Sequence, residues 1–235
     1  MSPILVEKIE LTELVDNYFT RKGKIYSFLN PVSYLNALKH KDLFCKLDGL
    51  FVDGSLLVMA IKMLYGKKVT RRSFDMTSMA PQLFENALRY NNSIYIVASK
   101  QEQVEKAVKI YKERYPNINI IGYRNGYFAN IEEQDEEVRH IVELNPDYLI
   151  VGMGVVVQEN FLFKVKEAGF KGIGFTCGGF IHQTASNMID YYPAWIDRMN
   201  LRFLYRMYKE PHTRKRYFKA GVVFPILFVK ERLFG

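Results

Sequence analysis

The chain has 235 residues, 49% apolar and 25% charged, which supports a buried core and excludes disordered, collagen-like and low-complexity architectures. Its two cysteines, Cys45 and Cys177, lie far apart with no CxxC spacing; this excludes a disulfide framework or cysteine zinc site and reads as two buried thiols. The net charge of +8 sits in one place: residues 198–235 hold ten Lys/Arg against Glu210 and Glu231, and the residues before them balance at 23 of each sign.

The N-terminus, MSPILVEKIELTELVDNYF, sets Glu7, Glu10 and Glu13 where a signal peptide needs an unbroken apolar stretch, so a cytoplasmic location is expected. Short apolar runs predict strands at 24–29, 50–53, 93–98, 118–123, 148–152 and 172–176. Helical periods fall between them at 55–65, 81–90, 102–115, 132–144 and 158–168. In the fourth, Glu132, Glu133, Asp135, Glu136 and Glu137 occupy the first turns, where negative charge suits the helix dipole, and read as a solvated helix start. Alternating strands and helices predict an α/β fold, a Rossmann-like, largely parallel sheet with helices on both faces, whose ligands bind beyond the carboxyl ends of the strands. No run approaches the roughly 18 apolar residues of a membrane span; the best candidate, 222–229, has eight.

The composition divides the chain into a core at 1–197 and a basic helical appendage at 198–235. Arg198, Arg202, Arg206 and Lys209 share one face of a helix predicted to begin near Pro193, and Leu201, Leu204, Tyr205 and Tyr208 line another. Pro211 is expected to end that helix, leaving a basic knot over 212–219 that includes Tyr217 and Phe218. Cations interleaved with aromatics suit an anionic lipid surface, with a single-stranded nucleic acid as the lesser alternative.

Several residues could carry chemistry. Asp53, in Val52-Asp53-Gly54, ends a strand and precedes a helix, a position for a general base, a sugar-hydroxyl ligand or an N-cap. Arg71 and Asp75, in TRRSFD, read as a site pair or a surface ion pair. Gly152 and Gly154 follow a strand where backbone can approach a phosphate, but GMGVVV lacks the third glycine of a dinucleotide fingerprint, which weakens an NAD-type oxidoreductase reading. Gln158 and Glu159 fall in the next helix's first turn, facing the same crevice or solvent. Gly178 and Gly179 permit tight turns or backbone approach, with His182 and Gln183 just after. The four histidines show no HxxxH or HExxH spacing, so a protein metal cage is poorly supported.

The order Leu29-Asn30-Pro31, Val52-Asp53-Gly54, Arg71 with Asp75, Gly126-Tyr127-Phe128, Gly152-Met-Gly with Gln158-Glu159, Gly178-Gly179, and Tyr205-Arg206 with Glu210-Pro211 resembles the WecG/TagA/CpsF glycosyltransferases over about residues 20–220. The resemblance implies a bacterial enzyme that moves a sugar from a UDP-sugar to a polyprenyl-diphosphate-linked acceptor with inversion, in cell-surface polysaccharide synthesis. It implies no cofactor beyond the UDP-sugar donor, no nucleic-acid partner, and a peripheral place on the inner face of the cytoplasmic membrane, held by the C-terminal segment. Homo-oligomerisation is left open. Residue by residue, it makes Asp53 the base and matches Arg71 better than Arg72. It places Gln158 and Glu159 near the donor sugar or uracil, and closes Arg206, Arg214 and Arg216 over the diphosphate. Asn30, Asp75, Tyr127, Gly152, Gly154, Gly178 and Gly179 are implied substrate contacts, and His182 and Gln183, just after the double glycine, are substrate-contact candidates by their position in the chain. The chain departs from the pattern at Phe28, where the family has threonine with Ser27 beside it here, at GVVVQE in place of GSPKQE, at Phe180-Ile181-His182-Gln183, and at Tyr192-Pro193-Ala194. These departures resemble an exopolysaccharide-type branch.

Overall fold

A computed structural model describes the chain except residues 1, 16, 187–195, 197–201, 210, 212–213 and 235, and except a set of side chains in the last two helices, those of Arg206 and Arg216 among them. The start of the tail helix and the 192–194 departure lie outside the described residues.

The strands are β1 (Ile25–Leu29), β2 (Gly49–Val52), β3 (Ile94–Ala98), β4 (Ile120–Arg124), β5 (Tyr148–Gly152) and β6 (Ile173–Thr176). They form one six-stranded sheet in the order β2-β1-β6-β5-β3-β4, and every pairing is parallel. The helices are α1 (Pro3–Glu13), α2 (Pro31–Lys39), α3 (Lys41–Lys46), α4 (Ser55–Tyr65), α5 (Met79–Tyr90), α6 (Gln101–Arg114), α7 (Ile131–Leu144), α8 (Val157–Glu167), α9 (Phe180–Ala185), α10 (Arg202–Lys209) and α11 (Arg214–Phe234). Strands β2, β3, β5 and β6 are buried at every residue, as a sheet covered on both faces requires. Alternation splits them between two cores: Leu50, Val97 and Val151 pack with α1, α4 and α8, whereas Phe51, Ile96 and Ile150 pack with α5, α6 and α9.

The predicted strands and central helices are present, with ends moved by a residue or two. Helices α1, α2, α3, α9 and α11 were not predicted. From Arg214 on, the knot is instead the start of α11, which continues past Gly221 and through Pro225. Its hold is tertiary: it packs on α2 and α4, and buried Phe224 meets Tyr34 edge-on at 6.3 Å. Two smaller expectations also fail. Cys45 is only partly buried, and Glu137 is not solvated but buried, accepting from Tyr95 Oη at 2.8 Å.

At the amino end of the sheet, Asp48 ties three elements together, accepting from Ile25 N–H at 2.9 Å, Lys24 Nζ at 3.0 Å and Lys166 Nζ at 2.6 Å. Burial alone would raise its pKa, but these donors outweigh it and hold the carboxyl below its ordinary 3.8. A depressed carboxyl pKa contributes stability that is present above pH 3.8 and lost as pH falls through the folded value. Lys166→Met is therefore expected to cost about 1 kcal/mol near neutrality and to shift acid unfolding to higher pH, as read by circular dichroism.

Candidate active site

The carboxyl ends of all six strands open on one cleft of about 1100 Å³. Backbone bonds lace its floor: Ser99 N–H donates to Gly152 O at 3.1 Å and Gly126 N–H to Ser99 O at 2.9 Å, joining the ends of β3, β4 and β5. Gly152 is required by packing, since an added Cβ would lie 2.7 Å from Cys177 Sγ and 2.9 Å from Gly178 O. Cys177 shares this floor, and burial pushes its thiol up to about 12, which makes it a packing group and not a nucleophile.

Asp53 leaves β2 half-buried at the cleft wall. Its N–H donates to Leu29 O at 2.8 Å, fixing the backbone against β1. The N-cap of α4 is Gly54, at φ +141°, so the N-cap reading of Asp53 is overturned. Across β2, Val52 bridges to Arg71, and its carbonyl accepts from Arg72 N–H at 2.8 Å. This bridge holds the segment extended, so successive side chains diverge. Arg71 lines the cleft, while Arg72 turns away to Glu13 at 2.7 Å and over the Tyr18 ring at 5.3 Å. Asp75 lines the same cleft, with Oδ1 accepting from Thr77 N–H at 2.8 Å and Thr77 Oγ1 at 2.6 Å. Asn30 lines it too, locked as the α2 N-cap by bonds from Val32 N–H at 2.9 Å and Ser33 N–H at 3.0 Å.

Under the cleft lies a buried polar chain. Glu159, 1% exposed, accepts from Ser27 Oγ at 2.7 Å and Gln158 Nε2 at 2.8 Å, and from Val156 N–H. Thr176 Oγ1 donates to Ser27 Oγ at 2.9 Å. Burial pushes the Glu159 carboxyl above its ordinary range, against the pull of the hydrogen bonds it accepts. The Val156 bond holds a β-branched residue at φ +75°, a costly left-handed backbone. With its nitrogen turned to Glu159, Gln158 presents Oε1 elsewhere; that oxygen is buried at the cleft wall with no partner among the described residues. A stranded buried acceptor costs about 1–3 kcal/mol until a donor reaches it.

His182 is oriented by Gln103. Lys100 N–H donates to Gln103 Oε1 at 3.2 Å, and Gln103 Nε2 faces His182 Nδ1 at 2.8 Å. The sequence reading missed Lys100, Gln103, Ser27 and Thr176. The first lies two residues beyond the end of a predicted strand, a position that could have pointed to it.

The described tail side chains facing the cleft are apolar, Leu204, Met207, Phe218, Val222, Phe224 and Pro225. Arg214 is not among the lining residues; its Nε donates to Met207 O at 2.9 Å. Arg206 and Arg216 have their side chains outside the described set.

The profile of the Glycosyl transferase WecG/TagA/CpsF family matches residues 3–235. The chain belongs to the WecG/TagA/CpsF glycosyltransferase family. It is similar to the UDP-Gal:alpha-D-GlcNAc-diphosphoundecaprenol beta-1,4-galactosyltransferase of Shigella boydii, at 34% identity over 95% of this chain and 92% of that one. The N-acetylglucosaminyldiphosphoundecaprenol N-acetyl-beta-D-mannosaminyltransferase of Bacillus subtilis is 26% identical over 88% of this chain and 81% of its own. Neither the oxidoreductase nor the nucleic-acid reading finds support in these matches. Of the candidate site residues read from the sequence, Asn30, Asp53, Arg71, Asp75, Tyr127, Gly152, Gly154, Gln158, Gly178, Gly179, His182 and Gln183 all line the one cleft. Glu159 does not line it and stands behind Gln158.

Proposed function

We propose that this glycosyltransferase moves galactose from UDP-galactose to a sugar hydroxyl of a polyprenyl-diphosphate-linked acceptor, with inversion, at the inner face of the bacterial cytoplasmic membrane. The observation that carries the reading is the convergence of Asp53, Arg71 and the unsatisfied Gln158 acceptor on one cleft. The donor assignment follows the Shigella relative, whose name gives a β-linked product from UDP-Gal. UDP-galactose is α-linked, so a β product means inversion, a single displacement that needs one base. The acceptor hydroxyl attacks the anomeric carbon from the face opposite UDP and its proton passes to the Asp53 carboxylate. The bond from that carbon to the diphosphate oxygen breaks, and UDP leaves with the electron pair. Arg71 offsets the charge growing on the leaving group. Gln158 Oε1 accepts from a donor hydroxyl or the uracil N–H.

In this reading residues 1–197 are the catalytic core, and 198–235 serve as membrane appendage and cleft wall, with Arg206 and Arg216 over the diphosphate. Among the described residues no helix is long and apolar enough to cross a membrane, so the attachment we propose is peripheral.

The test offers UDP-galactose and UDP-N-acetylmannosamine with a short-chain polyprenyl diphosphate bearing N-acetylglucosamine. Transfer from UDP-galactose with one UDP released per sugar is expected. Preference for the mannosamine donor would overturn the donor assignment, and no transfer from any UDP-sugar would overturn the reaction. Gln158→Ala is expected to weaken UDP-sugar binding about tenfold, consistent with one lost hydrogen bond to the ligand, and to lower the melting temperature modestly, because the Nε2 bond to Glu159 is lost as well. Calorimetric titration showing equal affinity would remove Gln158 from the donor site.

A further inference from the structure

The helix that follows Asp53 is only half covered. Helix α4 buries Leu57, Ala60 and Ile61, yet Leu56, Met59 and Met63 remain 44–54% exposed. Their spacing of three and four puts them on one helical face. Helix α11 packs against α4 and repeats the arrangement: Phe224 is buried, while Phe218, Val222, Ile226 and Val229 are 48–72% exposed. Leu56, Phe218 and Val222 line the same cleft, so the two apolar stripes meet at its mouth. Contiguous exposed apolar surface of this kind marks an interaction site.

Charge identifies the occupant. Residues 54–70 contain Lys62, Lys67 and Lys68 and no Asp or Glu, and residues 211–235 contain Arg214, Lys215, Arg216, Lys219, Lys230 and Arg232 against one acid, Glu231. Lys67 pairs with Glu10 at 2.8 Å, which leaves the sign of the face unchanged. A second copy docked about a twofold axis would set these cations against themselves. An anionic phospholipid surface complements them and takes the apolar side chains into its acyl boundary.

We infer that α4 and α11 form a single bilayer-facing surface, so that the catalytic core itself, through Leu56, Met59 and Met63, rests on anionic phospholipid with the cleft mouth turned to the membrane. The inference extends the proposed action on a lipid-linked acceptor and rests on it. It gives α4 a purpose that the tail alone does not require: Asp53, two residues upstream of the helix, is held at a set height above the lipid.

The experiment uses the full chain and the double variant Met59→Gln/Met63→Gln, neither residue lining the cleft. Co-sedimentation with vesicles of phosphatidylglycerol and phosphatidylcholine is expected to show binding weakened about tenfold, with Met59→Leu/Met63→Leu restoring it. Turnover of a water-soluble acceptor is expected to be unchanged, and turnover of a polyprenyl acceptor in vesicles to fall. Unchanged vesicle binding by the Gln variant would overturn the inference. So would sedimentation showing a dimer that the substitutions dissociate, because a second copy would then cover the face. Failure of the wild-type chain on the water-soluble acceptor would count against the proposed reaction and leave the vesicle result to stand on its own.

Discussion

Asp53→Asn is expected to lower turnover by about 10²- to 10⁴-fold, the usual loss when a general base is removed, while UDP affinity changes little. The amide keeps the shape of the carboxylate and removes its capacity to take the acceptor proton. Stability gives no competing explanation through helix capping, because the N-cap of α4 is Gly54, and the backbone bond from Asp53 N–H to Leu29 O survives the change. Steady-state kinetics with a melting curve and a UDP titration separate the roles. Turnover within a few-fold of wild type would show that another group takes the proton.

Glu159→Ala is expected to destabilise the fold by about 3 kcal/mol, since it removes the acceptor shared by three donors, two of them in buried bonds. The donors are Ser27 Oγ, Gln158 Nε2 and Val156 N–H. The same change frees the Gln158 side chain and the left-handed Val156 backbone, so donor affinity falls as well, whereas Gln158→Ala removes only one of the bonds to Glu159 and is expected to cost less stability. A pH series tests the environment of the carboxyl. Burial raises its pKa above 4.5, so the stability tied to its neutral form is complete below pH 4.5 and is lost as pH rises through the folded value. The stability gap between wild type and Glu159→Ala is therefore expected to narrow with rising pH. A constant gap in denaturation at acid and alkaline pH would show that Glu159 titrates as an exposed carboxyl does.

What the sequence determined by itself is the part of the molecule written in local spacing. Strands such as Ile94–Ala98 and Tyr148–Gly152 are apolar at every position, because a parallel sheet is covered on both faces. Helix Ser55–Tyr65 matches its predicted bounds, with apolar residues on its inner face and Gly66 in the left-handed C-cap position. Once those elements were placed, Asp53, Gly152 and Gly178 fell at strand ends, and the crevice followed from parallel topology. The order of motifs further identified the family without any structure.

Only the tertiary structure decided which polar residues face the cleft. Gln158 and Glu159 are neighbours in one helical turn, and spacing does not say which one a ligand meets. Ser27, 132 residues from Glu159, and Thr176, 149 residues from Ser27, draw the carboxylate inward and leave Gln158 at the wall. Glu137 is drawn in the same way by Tyr95 and Arg124 out of what reads as a solvated acidic run. Helix α11 continues through Pro225, against its own propensity, on a seat provided by Tyr34 and α4. In each case the deciding partner lies far away along the chain, and a buried polar group or an apolar face takes the position that such a partner satisfies.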